Sequence, residues 1–144
     1  MMRRSIFLLI FGTSWLISAG QPGNEWIKYD QEYFRIATAA DAIYRLTYSD
    51  LQNAGFPVTA TDPRALQVFH RGVEQDIHIK GEGDGVFDPG DYLEFYGRRN
   101  DGTLDAGLYS VPANQPHRYY NLYSDTTSFF LTFNAFMNPS SHRM

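Results

Sequence analysis

The chain has 144 residues, enough for one ordinary domain. Its 12 Lys and Arg against 16 Asp and Glu give a net charge of −4, and no basic cluster is present, which argues against nucleic acid and anionic membrane surfaces as partners. There is no cysteine, so thiol catalysis by this chain alone and disulfide stapling are both excluded.

Residues 1–19 read as a secretory signal peptide. Arg3 and Arg4 form a positive start, residues 6–17 are mostly apolar, and Ile17, Ser18 and Ala19 end in small side chains suited to cleavage. The apolar run is broken at Gly12 and is shorter than the ~20 residues of a spanning helix. No cysteine follows Ala19, so a lipoprotein anchor is excluded. Loss of this leader takes the basic count from 12 to 10 and the net charge from −4 to −6. The expected location is therefore exported: periplasm, outer-membrane surface or extracellular space, with no transmembrane span after cleavage.

The rest, residues 25–144, alternates short apolar–polar runs with turn clusters, and no long amphipathic helix pattern appears. Residues 33–37 put Phe34 and Ile36 on one face of a strand. Residues 42–48 put Tyr44, Leu46 and Tyr48 on one face and Ile43, Arg45 and Thr47 on the other. The four residues between these strands, 38–41, predict a hairpin connection. A short helix is expected over residues 49–55, with Ser49 and Gln52 at capping-box spacing, Gly55 as its left-handed stop and Pro57 beyond it. Residues 65–71 alternate Leu66, Val68 and His70 against Gln67, Phe69 and Arg71. A turn at residues 71–74 then leads to a returning strand, 75–80, with Ile77 and Ile79 inward. That hairpin would set His70 opposite His78.

Residues 81–97 carry two turn signals, Asp84-Gly85 and Asp88-Pro89-Gly90-Asp91, then the alternating strand Tyr92, Leu93, Glu94, Phe95, Tyr96. Residues 101–118 are polar and proline-interrupted and predict a long surface loop. Residues 119–123 and 128–133 are the last expected strands, the latter with Phe129, Leu131 and Phe133 on one face. Residues 138–144 read as a turn with nothing after it to finish a sheet, so the domain is expected to be truncated at its C-terminal side. Seven or eight strands suit an all-β fold: a β-sandwich of jelly-roll or immunoglobulin-like type with one short helix, preceded by the signal peptide.

Two groups of residues are candidate sites. Glu82, Asp84, Asp88 and Asp91 lie within ten residues and offer the hard oxygens a calcium ion requires. Their spacing is not that of an EF-hand loop, and the competing reading is that each Asp caps its own turn. The second group is aromatic. With Leu93 and Phe95 inward, Tyr92, Glu94 and Tyr96 point outward, and Tyr119 and Tyr123 are placed to flank them. Such a patch stacks on sugars or on a protein partner, or is covered by a second sheet or a following domain. His70 and His78 lack the further ligands of a zinc site and read as half-buried strand histidines. No G-x-S-x-G elbow and no glycine-rich phosphate loop is present.

Several runs carry a resemblance. Phe34-Arg35-Ile36, residues 41–46 (DAIYRL) and residues 50–55 (DLQNAG) resemble the start of the PorU-type sortases of the Bacteroidetes type IX secretion system. Residues 69–72 (FHRG), 83–97 (GDGVFDPGDYLEFYG), 119–125 (YYNLYSD) and 130–132 (FLT) continue it. The resemblance implies an N-terminal β-rich region that precedes a gingipain-like, C25-type cysteine peptidase domain. It implies no catalytic residue here, since the family's catalytic His and Cys lie downstream of the matching region. The expected function is a non-catalytic β-domain that packs on or positions a catalytic domain absent from this chain, or that meets outer-membrane secretion components. The alternative is a self-standing exported module binding carbohydrate or protein.

Overall fold

The computed structural model describes residues 24–133 and 142–144. The leader expected over residues 1–19 and most of the turn expected over residues 138–144 lie outside them. The alternation seen in the sequence becomes seven strands and one α-helix among the described residues: β1 (Phe34–Thr38), β2 (Ala42–Thr47), α1 (Tyr48–Asn53), β3 (Leu66–His70), β4 (Val73–Gln75), β5 (Ile77–Lys80), β6 (Tyr92–Gly97) and β7 (Thr127–Phe133). They form two antiparallel sheets, ordered β1-β7-β3-β4 and β2-β6-β5, in a small β-sandwich-like arrangement.

The core lies between the sheets. Leu66, Val68, Phe129 and Leu131 come from the four-stranded sheet, and Ile77, Ile79, Leu93 and Phe95 from the three-stranded one; all are buried. The Phe95 and Phe129 rings meet across the interface at 5.1 Å. Each such side chain contributes roughly 1.5–3 kcal/mol on burial, and this core holds the fold without disulfides. On the outer face of the four-stranded sheet Trp26 stacks on Phe69 at 5.2 Å and meets Phe130 at 5.6 Å, while Arg35 and Ala37 stay exposed.

The helix ends as expected and begins earlier. Phe56 N–H donates to Leu51 O and Gly55 N–H to Gln52 O, the paired bonds of a Schellman stop, with Gly55 at φ 78°. At its start the cap is Thr47, not Ser49. The Thr47 hydroxyl accepts from Asp50 N–H at 3.2 Å, and Asp50 Oδ2 accepts from Thr47 N–H at 2.9 Å. Asp50 thereby titrates below the ordinary carboxylate range, chiefly through the Thr47 hydroxyl.

The expected hairpin between β1 and β2 does not form. β1 pairs with β7 and β2 with β6, so residues 38–41 carry the chain from one sheet to the other. Tyr44 holds this crossing: its hydroxyl donates to Ala40 O at 3.2 Å and accepts from Ala39 and Ala40 N–H, each at 3.3 Å. Thr38 Oγ1 donates to Arg98 O at 2.6 Å, and Asp41 Oδ1 accepts from Arg99 N–H at 2.8 Å. The Tyr44 ring passes over Gly97, where a Cβ would stand 2.4 Å from its edge.

The second expected hairpin is split. The turn at Arg71 and Gly72, with φ 50° and 81°, returns the chain as predicted, but β4 pairs with β3 for only three residues. After Asp76 the chain enters the other sheet, where β5 pairs with β6 and buries Ile77 and Ile79. Strands that switch sheets make the corners of sandwiches. His70 and His78 therefore sit in different sheets and do not face each other.

Residues 119–123 form no strand. Asn121 Oδ1 accepts from Tyr123 and Ser124 N–H, each at 2.9 Å, and its amide donates to Asp105 at 2.6 Å. This local side-chain bonding bends the backbone that the aromatic pattern predicted to be extended. The preceding loop is irregular as expected, with 3₁₀ turns at Gly102–Leu108 and Pro112–Asn114. Residues 142–144 are not a plain turn: Arg143 makes a parallel bridge to Ile77 on the outer edge of β5.

Candidate functional site

Strand pairing brings three rows of side chains to the outer face of the three-stranded sheet. Register sets Ile43 beside Tyr96, Glu94 between Arg45 and His78, and Tyr92 between Thr47 and Lys80. Leu93 and Phe95 point into the core with no exposure, so Tyr92, Glu94 and Tyr96 point out. Among the described residues this face stays open: Ile43 is 59% exposed and Tyr96 46%.

Arg45 organises the middle of the face. Its Nε and Nη2 lie 2.8 and 2.7 Å from Glu94 Oε1, and its guanidinium carbon sits 4.1 Å from the centre of the Tyr92 ring. The hydrogen bond to Glu94 raises the guanidinium above its ordinary value. His78 Nδ1 reaches Glu94 Oε2 at 3.7 Å, and Lys80 Nζ lies 5.5 Å from the Tyr92 ring. Exposed ion pairs of this kind add little to stability. Here they set the Tyr92 ring, the Glu94 carboxylate and the Arg45 and Lys80 cations side by side, a patch of aromatic area, one acid and two cations.

Tyr119 and Tyr123 are not part of that face. Both are 80% exposed on the segment bent by Asn121. Tyr119 lines a cleft with Asp41, Arg98 and Arg99, and Arg98 in turn lies 6.0 Å from the Tyr96 ring, so only Tyr119 borders the sheet face. In the same region Arg99 pairs with Asp125 and stacks on Tyr120 at 4.2 Å. Sequence reasoning missed this cleft because its residues come from three separate segments. Arg45, His78 and Lys80 were missed for a similar reason: only cross-strand register joins them to Tyr92 and Glu94.

Three of the four candidate calcium ligands have their carboxylates engaged, and Asp88 closes the turn through its backbone. Asp84 Oδ1 accepts from Val86 N–H at 3.0 Å, and Asp91 Oδ2 accepts from Asp88 N–H at 2.8 Å. Asp88 supplies its carbonyl to Asp91 N–H at 2.9 Å, closing the turn around Pro89 and Gly90. Glu82 Oε2 lies 3.0 Å from Arg143 Nε. Among the described residues no group of three or more His, Cys, Asp or Glu converges as a metal site.

His70 is half-buried, stacked on Phe129 at 4.2 Å with Nε2 3.1 Å from Thr127 Oγ1. Burial lowers its pKa, and the positive charges of Arg71 and Arg98 act in the same direction. Among the described residues no helix is long and apolar enough to cross a membrane. Compared with protein-family models, curated proteins and solved structures, the chain finds no match.

Proposed function

We propose that this chain is the non-catalytic N-terminal β-domain of an exported gingipain-like cysteine peptidase or type IX secretion sortase. It packs on or positions a C25-type catalytic domain absent from this chain through the outer face of the three-stranded sheet. The observation that carries the docking part is the asymmetry of the sandwich. Trp26 packs on Phe69 and Phe130 at the outer face of one sheet, while the other presents Ile43, Tyr92 and Tyr96 around a hydrogen-bonded Arg45–Glu94 pair. The zero cysteine count supports a non-catalytic role, and the runs from Phe34 to Thr132 support the family. Export follows from the leader pattern of residues 1–19.

The test is calorimetry of the chain against a C25-type catalytic domain of a type IX secretion sortase. Saturable binding that Tyr96→Ala combined with Ile43→Asp weakens by tenfold or more (about 1.4 kcal/mol) is expected. Absence of binding, or peptidase activity from this chain alone, overturns the reading. A second reading is an exported carbohydrate- or protein-binding module. It is favoured by the Tyr92 ring and Glu94 carboxylate standing side by side, and a glycan array separates it from the first.

A further inference from the structure

Residues 142–144 are held by a set of groups that belongs to the body of the fold. The Arg143 guanidinium donates from Nη2 to Arg64 O at 2.8 Å and to Pro63 O at 3.3 Å, and from Nη1 to Leu66 O at 3.2 Å. Its Nε lies 3.0 Å from Glu82 Oε2, and the side chain is only 22% exposed. The backbone adds two bonds at the outer edge of β5: Ile77 N–H donates to His142 O at 3.1 Å, and Met144 N–H donates to Ile77 O at 3.0 Å.

The receiving carbonyls are pre-placed. Pro63 opens a 3₁₀ turn capped by Asp62, whose carboxylate accepts from Arg64 N–H at 2.9 Å and pairs with the Arg64 side chain. Leu66 then anchors the start of β3 with its side chain buried. Three fixed carbonyls and one carboxylate match the planar fork of a guanidinium; a lysine ammonium offers a single point of charge instead.

We propose that the outer edge of β5, with the carbonyls of Pro63, Arg64 and Leu66 and the carboxylate of Glu82, is a binding site for an extended peptide carrying an arginine. Residues 142–144 occupy it in cis. The occupant supplies the Arg143 side chain, two backbone bonds and a His142 ring 3.1 Å from Asp76 Oδ1, so another extended segment with arginine at the same place satisfies the three carbonyls, Glu82 and the strand edge, by strand addition at a sheet edge. This site is separate from the open sheet face and does not rest on the family reading above.

The test uses the chain lacking residues 142–144 and a fluorescent peptide of residues 140–144, followed by anisotropy. Saturable binding is expected. The same peptide with Arg143→Ala should bind about tenfold or more weakly, as loss of charge-assisted hydrogen bonds implies. The full chain should bind the arginine peptide less well than the shortened one, because its own segment competes at high effective concentration. Glu82→Gln in the shortened chain should weaken the arginine peptide and leave the alanine peptide unchanged. If the shortened chain does not fold alone, the arginine peptide should restore its thermal transition and the alanine peptide should not. Equal behaviour of the two peptides, or neither binding nor rescue, overturns the proposal.

Discussion

Phe95→Ala should cost this fold a large part of its stability, while Tyr96→Ala, one residue on, should cost little. Phe95 has no exposure and touches the rings of Tyr44 at 5.8 Å and Phe129 at 5.1 Å, so its loss opens a cavity where the two sheets meet. Phe→Ala changes at such positions cost about 3–5 kcal/mol, through lost transfer energy and the cavity left behind. Against the roughly 5–15 kcal/mol of a typical domain, that is about a fifth or more of the total. Tyr96 is 46% exposed beside the exposed Ile43 and lies 6.0 Å from Arg98, so its truncation should cost less than about 1 kcal/mol. Urea unfolding followed by circular dichroism measures both, with the shift in midpoint converted through a common slope. A cost under about 1 kcal/mol for Phe95→Ala with a larger one for Tyr96→Ala would refute this orientation of β6, because a one-residue slip of the strand exchanges the two faces.

Three further outcomes are expected. Tyr44→Phe removes the hydroxyl that holds residues 39 and 40 and should lower stability by about 1–2 kcal/mol in the same unfolding assay; no loss contradicts its role at the sheet crossing. Burial keeps His70 neutral in the folded chain to a lower pH than in the unfolded chain, where it binds a proton below about 6.5. Stability from this group is therefore complete above that value and is lost as pH falls toward the folded pKa. The melting temperature should drop between about pH 7.5 and 5, and His70→Phe should flatten the drop; an unchanged slope in the variant refutes this assignment. Millimolar calcium should leave the melting temperature unmoved, because Glu82, Asp84 and Asp91 already serve Arg143 and the backbone; a rise of several degrees would return them to metal binding.

The strands with strict alternation were legible because burial of one face alone decides their orientation. Leu66 and Val68, Leu93 and Phe95, and Phe129 and Leu131 all point inward as their spacing predicts. Connections were less legible. Four residues between β1 and β2 suit a hairpin, yet the crossing depends on Tyr44 passing over Gly97, a residue far along the chain. The switch at Asp76 interrupts the β3 return at a single residue, too little to register as a break in periodicity. At residues 119–123 the tyrosines suggested a strand, while the decisive residue was Asn121, whose amide bonds the local backbone and Asp105. The outward set of β6 was readable, but Arg45, His78 and Lys80 join it only through pairing with neighbouring strands.

Hydrogen–deuterium exchange of the chain, alone and with a C25-type catalytic domain, tests the docking claim most directly. Slowed exchange at β2 and β6 is expected on binding, around Ile43, Tyr92 and Tyr96, with β1 and the segment carrying Trp26 unchanged. Slowed exchange confined to the Trp26 side, or no change anywhere at saturating partner, would contradict it.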